Sequence, residues 1–286
     1  MKKWAVVLLA LVVSALMSVA QAQQPSGSIR VMSYNIRRLG VEDNWRDLWW
    51  MRRGQMAKLI LRQNPDLIGM QEVYTTQGND LARMLPGYVW FGPPRDDGKK
   101  KGERNPIFYK KDRFDLLKND TFWLSETPEI LGSRGWDADC CRIVTWGEFR
   151  DKQTGKTFFY FNTHFDNAGR KAREMSAKLL LSRMKAIAGD SPAFVTGDFN
   201  SEDSSPAYKI ITSTLIDSRS ICEGAVKGPY FTSWTFKPNV PADCRIDYIF
   251  VQPGIRALEY ATLDDTYGKG RRPSDHMAVM AVISIP

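Results

Sequence analysis

Ten apolar stretches of strand length recur along the chain, at Ile29 to Ile36, Asp66 to Val73, Tyr88 to Phe91, Pro106 to Tyr109, Thr121 to Leu124, Arg142 to Phe149, Thr157 to His164, Ala193 to Phe199, Ile246 to Val251 and Ala278 to Ile285. Most are rich in Val, Ile, Phe, Tyr or Trp and are bounded by Gly, Pro, Asp or Asn, the composition of buried strands between turns. Two longer stretches keep a three-to-four spacing and predict helices. Leu48, Arg52, Met56, Leu59 and Ile60 run up to Asn64-Pro65, where proline stops the first. Ala172, Met175, Leu179, Leu180, Met184 and Ile187 form the second, which ends at Gly189, and a shorter helix begins near Pro206. Many strands with few helices do not fit a barrel that alternates the two throughout. They fit two packed sheets with helices laid outside. The longest loops, Gly92 to Asn105 and Gly224 to Asp243, are where a rigid frame usually meets its substrate.

The first segment stands apart from this pattern. Lys2 and Lys3 precede an apolar run from Trp4 to about Ala20, followed by the small-x-small triplet Ala20-Gln21-Ala22. This reads as a secretory signal over residues 1–22, leaving residues 23–286 as one domain, exported to the periplasm or secreted, and monomeric by default. The 286 residues carry 40 Lys+Arg against 32 Asp+Glu, a net +8 that favours anionic partners. Clusters at Lys99-Lys100-Lys101, Lys110-Lys111, Arg170-Lys171 with Arg173, and Lys269 with Arg271-Arg272 are suited to tracking a phosphate backbone. Export makes Cys140, Cys141, Cys222 and Cys244 disulfide candidates before metal ligands. Neighbours Cys140 and Cys141 can scarcely bridge each other, so each would need Cys222 or Cys244. A zinc site lacks a C-x-x-C pair and a His near any Cys.

The chemistry sits at the ends of the strands. Asn35 and Glu72 close the first two, His164 closes Phe158 to Thr163, and Asp198 and Asn200 flank Phe199 after an apolar run. Asp247 lies in Arg245 to Phe250, and Ser274-Asp275-His276 opens the last strand. In α/β sheets ligands gather at the carboxyl edge, so these side chains can converge. The chain has only two histidines, each with an acid within two positions, Asp166 for His164 and Asp275 for His276. Were Glu72, Asp198, Asp247 and Asp275 to share one cleft, each close pair would repel by about 4 kcal/mol at an effective dielectric near 20. Protonation or a cation must relieve that. Carboxylate and amide oxygens without a thiolate select Mg²⁺ or Mn²⁺, with Ca²⁺ also accommodated, and such an ion chiefly serves phosphoryl chemistry.

Taken as a set, Gly197-Asp198-Phe199-Asn200, Ile246-Asp247-Tyr248 and Ser274-Asp275-His276 resemble the endonuclease/exonuclease/phosphatase superfamily, whose motifs appear in family order from Asn35 to His276. The resemblance implies an α/β fold, a four-layer sandwich of two packed, mainly antiparallel or mixed sheets flanked by helices. It implies Glu72 as the principal metal ligand, with Asn35 and Asp275 completing the site directly or through water. Asp198 would position or deprotonate the attacking water, with Asn200 orienting it. His276, held by Asp247, would stabilise charge on the phosphoryl group, and His164 would hold another phosphate oxygen. The identity of the general base stays open. Where the abasic-site nucleases of the family carry Tyr, this chain has His164, closer to the deoxyribonuclease and deadenylase branches. Gly102 to Tyr109 and Phe122 to Pro128 are similar to a bacterial subgroup of largely unassigned substrate.

The leading expectation is an exported, divalent-metal-dependent phosphodiesterase of nuclease type acting on DNA or RNA. The enzymatic alternative is a phosphatase or phosphodiesterase acting on phosphosugars, inositol phosphates or phospholipid head groups. A third class is a non-catalytic polyanion-binding protein that keeps the fold.

Overall fold

The structure is a computed structural model that describes residues 25–40, 44–234 and 244–286. The expected signal segment at residues 1–22, and residues 235–243 of the second long loop, lie outside the described residues. In chain order the elements are β1 (Ile29–Asn35), α1 (Trp49–Gln63), β2 (Leu67–Gln71), α2 (Thr75–Met84), β3 (Tyr88–Phe91), β4 (Ile107–Lys110), β5 (Phe114–Trp123), β6 (Ile143–Asp151) and β7 (Thr157–His164). They continue with α3 (Arg170–Ala188), β8 (Ala193–Asp198), α4 (Pro206–Thr212), β9 (Ile216–Asp217), β10 (Val226–Lys227), β11 (Asp247–Val251), β12 (Arg256–Leu263) and β13 (Ala278–Ser284).

One sheet runs β10-β12-β13-β1-β2-β4-β3 and the other β5-β6-β7-β8-β11-β9. Their inner faces meet through Val31, Leu67, Phe149, Phe158, Tyr160, Phe194, Ile249 and Val279. On the outside of the first sheet, Met56 and Ile60 of α1 pack with Met32, Ile68 and Phe108. On the outside of the second, Ala177, Leu180 and Met184 of α3 pack with Phe161, Val195 and Phe250. The result is the four-layer sandwich expected, with mixed sheets: β1 with β2, β7 with β8 and β10 with β12 are parallel, and the other pairs antiparallel.

The helix α1 stops as its sequence requires. Asn64 takes a left-handed conformation (φ 50°), its N–H returns to Ile60 O at 2.8 Å, and Pro65 cannot continue the helix. Four elements escaped the pattern, the two-residue strands β9 and β10 among them. Strand β12 carries a bulge between Ala257 and Glu259, which shifts the inward positions and destroys simple alternation. Helix α2 (TTQGNDLARM) has few apolar residues and a central Gly78, yet a side chain there would put its Cβ 2.9 Å from the Trp90 ring, so the glycine is a packing requirement. Strand β5 also begins at Phe114, earlier than the expected Thr121, because its middle from Lys118 to Asp120 is exposed and polar.

Candidate active site

The sheet topology alone brings the strand-end residues together. β1 and β2 are parallel, as are β7 and β8, so Asn35, Glu72, His164 and Asp198 emerge at carboxyl ends. β11 runs antiparallel to β8 with Asp247 opposite Asp198, so its first residue lies at that same edge. β13 runs antiparallel to β1, which puts Ser274-Asp275-His276 there too, and Ser274 Oγ donates to Asn35 O at 2.7 Å. Three of the five non-glycine residues with positive φ among the described residues, Arg37, Glu72 and Asn200, sit at this rim. Backbone held in that region is costly and concentrates at functional sites.

On one side of the cleft, His276 Nδ1 lies 2.8 Å from Asp247 Oδ2, and His276 Nε2 lies 3.8 Å from Asp198 Oδ2. Burial disfavours the imidazolium, but the Asp247 and Asp198 carboxylates outweigh it and hold the His276 pKa well above the ordinary value. Asp198 is pushed up to about 7 by burial and by the charge on Asp247, opposed by His276 and by hydrogen bonds from Asn35 and the Asn200 N–H. The two acids and His276 bring ligand atoms within 4.8 Å of one another, which is enough to hold a metal. With Nδ1 on Asp247 the trio is also arranged to hold a proton on the ring.

Asn35 Nδ2 bridges to the other acidic group, donating to Glu72 Oε1 at 3.0 Å and to Asp198 Oδ2 at 2.9 Å. Burial works against ionisation of Glu72, but the Arg38 N–H at 2.9 Å and the Asn35 amide keep its pKa below the ordinary value. Asp275 is pushed up by burial and by the Glu72 charge, against the pull of His276 and of Arg37, whose Nη1 lies 3.1 Å from Asp275 Oδ2. Two half-buried carboxylates, one raised by its neighbour's charge, fit a hard divalent ion, with the Asn35 amide, whose Oδ1 here accepts from Arg37 N–H, beside them.

His164 behaves differently from His276. Asn200 Nδ2 donates to Phe165 O and to His164 Nε2, each at 3.0 Å, so Nε2 accepts and the ring is neutral. Burial, then the nearby Arg142 and Arg95 guanidinium groups, hold its pKa well below the ordinary value. The ring therefore fixes Asn200, and its Nε2 also lies 3.4 Å from Asp198 Oδ2.

The cleft has a volume of about 330 Å³. Four arginines line it, Arg37, Arg38, Arg95 and Arg142, together with Asp139, Cys140 and Asn167. None belongs to the basic clusters noted in the sequence. Of those clusters, Lys110 pairs with Asp66, Arg170 with Glu174 and Arg271 with Asp47, Arg272 lies over Trp234, and Arg173 Nη1 donates to the Asp166 carbonyl beside the cleft. The arginines of the cleft are isolated in sequence, and only the adjacency of Arg37-Arg38 to Asn35 signals any of them.

The disulfides expected of Cys140, Cys141 and Cys222 are not formed. Cys140 Sγ faces Asp166, Cys141 Sγ donates to Gly132 O at 2.9 Å, Cys222 bridges to Ala257 on β12, and the Cys244 carbonyl accepts from Thr232 and Ser233. Among the described residues no helix is long and apolar enough to cross a membrane.

The family model of the Endonuclease/Exonuclease/phosphatase family matches residues 32–276. A crystal structure of an endonuclease/exonuclease/phosphatase from Bacteroides vulgatus is 39% identical, with a TM-score of 0.86, covering 91% of this chain and 99% of that one. The mannosyl-6-phosphatase of Bacteroides thetaiotaomicron is also 39% identical, with a TM-score of 0.86, over 90% of this chain and all of its own. Nocturnin from Drosophila melanogaster is 24% identical over 81% of this chain and 41% of its own length. The chain spans less than two thirds of the curated relatives it matches first.

Proposed function

The chain belongs to the endonuclease/exonuclease/phosphatase family, whose members are hydrolases of phosphoesters, and from that premise we propose that it is a divalent-metal-dependent phosphatase acting on a small sugar phosphate. The observation that carries this reading is the shape and charge of the cleft. Its volume of about 330 Å³ and its four arginines suit one compact phosphorylated molecule. Small-molecule pockets span roughly 300–1,000 Å³, and this one is at the lower end. The Bacteroides thetaiotaomicron mannosyl-6-phosphatase at 39% identity points the same way. Export, read from the leader, suits scavenging of such compounds.

In this reading Glu72, Asp275 and Asn35 hold the metal. A Mg²⁺ or Mn²⁺ ion supplies neutralising charge to the phosphoryl oxygens. Asp198, with a pKa near neutrality, takes a proton from the attacking water, which Asn200 orients while His164 and Phe165 O fix the Asn200 amide. His276, held protonated by Asp247, donates to the phosphoryl group as negative charge develops on it. The water oxygen bonds to phosphorus as the bond to the sugar oxygen breaks, the sugar oxygen takes a proton from solvent water, and Asp198 returns its own to solvent, giving inorganic phosphate and the free sugar hydroxyl.

Nocturnin and Ccr4 exoribonuclease relatives keep a nuclease as the second reading. Phosphate release should be measured from hexose 6-phosphates, hexose 1-phosphates and inositol phosphates, beside cleavage of single-stranded RNA and DNA, with Mn²⁺ across a salt series. The sugar-phosphate reading expects turnover of a hexose phosphate with little salt dependence. Oligonucleotide cleavage that falls steeply with salt, with no phosphatase activity, would replace it with the nuclease reading.

A further inference from the structure

We infer that Arg142, backed by Arg95, is the specificity residue that reads the second negative charge of a phosphate monoester and so sets this cleft against diesters. The inference rests on the reading of the cleft as a phosphoester site and goes beyond it. Arg142 immediately precedes β6, is only 4% exposed and lines the cleft. Its Nε lies 3.3 Å from Asp166 Oδ2, its Nη2 donates to Asn167 Oδ1 at 2.7 Å, and its Nη1 has no hydrogen-bond partner. Asp166 in turn is fixed by backbone N–H groups of Asp139, Ala168 and Gly169, the last at 2.7 Å. The guanidinium is thus locked by partners that do not depend on substrate, and its negative partner spends much of its charge on the loop backbone.

Nη1 is closed to solvent as well as unpartnered, so Arg142 acts on an anion in the cleft through its fixed charge. Arg95 is likewise held, its Nη1 paired to Glu103 at 2.9 Å and its Nε 3.7 Å from Asp96 Oδ1. The neighbouring His164 carries no charge and presents its acceptor to Asn200, so the positive charge on this side of the cleft comes from the two arginines. A monoester near neutral pH carries close to two negative charges, with a second pKa of about 6, whereas a diester carries one. Two fixed guanidinium groups lining the cleft therefore favour the monoester.

The test compares wild type with Arg142→Gln and Arg142→Lys on 4-nitrophenyl phosphate and bis(4-nitrophenyl) phosphate with Mn²⁺. It also compares calorimetric binding of phenyl phosphate and diphenyl phosphate in excess chelator. Asp166 keeps its backbone donors in either variant, and thermal midpoints verify folding. For Arg142→Gln the expected result is a loss of at least 100-fold in monoester kcat/KM against less than tenfold for the diester, and at least tenfold weaker binding of phenyl phosphate alone. Arg142→Lys, which keeps the charge and loses the contacts that fix it, falls between. Equal losses on both esters, or none, would overturn the assignment. If wild type releases no phosphate from any sugar phosphate, the substrate reading fails, while the two binding titrations still decide the role of Arg142.

Discussion

Burial, then two nearby arginines, hold the His164 pKa well below the ordinary value, although Asp198 Oδ2 lies 3.4 Å from its Nε2. The sign of the resulting pH dependence follows directly. In the unfolded chain the residue titrates near 6.5, whereas in the fold its pKa lies well below that value, so below about pH 6.5 the unfolded state binds more protons. Stability contributed by His164 is therefore complete above that pH and is lost as pH falls, by up to about 1.4 kcal/mol for each further pH unit. His164→Gln, whose amide oxygen can still accept from Asn200, should show a smaller drop in thermal midpoint between pH 7 and pH 5 than wild type. An equal drop would remove the neutral-ring assignment. For the opposite pair, His276→Ala and Asp198→Ala should each lose about 100- to 10,000-fold in kcat, the range of a general acid or base, with thermal midpoints close to wild type. At this scale the strand-end residues were legible because a polar side chain that ends an apolar strand has few reasons to be there. The arginine wall was not, since Arg95 and Arg142 stand singly in loops or just ahead of a strand, where a lone arginine is ordinary.

Strands β2, β7 and β8 are joined across the sandwich by a polar network set in an apolar interior. Gln71 Nε2 donates to Asn162 Oδ1 at 2.8 Å, Thr196 Oγ1 to the same oxygen at 3.0 Å, and Asn162 Nδ2 to Met70 O and Pro106 O at 2.8 and 3.0 Å. Gln71, Asn162 and Thr196 lie one or two positions from Glu72, His164 and Asp198, so the network fixes how the two sheets present their catalytic ends. Gly69 makes room for it, since a Cβ there would stand 2.1 Å from Thr196 Oγ1 and 2.4 Å from Asn162 Oδ1. Gly69→Ala should cost about 3 kcal/mol in denaturant unfolding, the upper end for overpacking a core, and should lower activity with it. A cost within about 0.5 kcal/mol, the range of ordinary surface changes, would mean the sheets are not held at this spacing. Sequence periodicity identified β2, β7 and β8 because both their faces are buried and they read as continuous apolar runs. It lost β12 and α2, where a bulge and a packing glycine answer to neighbours that are distant in sequence.

Across the whole molecule, the two sheets bring acids from β2, from β8, from β11 and from the turn before β13 to one rim, and that convergence creates the demand for a cation. Mn²⁺ or Mg²⁺ in excess should raise the thermal midpoint of the wild type, since an ion that binds only the folded state at 100 times its Kd contributes about 2.7 kcal/mol. Glu72→Gln should abolish most of that rise, and an undiminished shift would move the metal to another site. Fold class and the identity of the acidic cluster were legible from strand count and strand-end residues. The substrate was not, because it depends on how loops 92–105 and 139–142 and the segment after β7 fold over the cleft.

The most direct measurement is inorganic phosphate released from a hexose 6-phosphate by the purified protein with Mn²⁺, repeated in excess chelator and with Asp198→Asn. Steady release by wild type, lost on chelation and reduced at least 100-fold in the variant, is the expected result. Release that survives both treatments, or its absence from wild type at every metal concentration, would contradict a metal-dependent phosphatase built on this cluster.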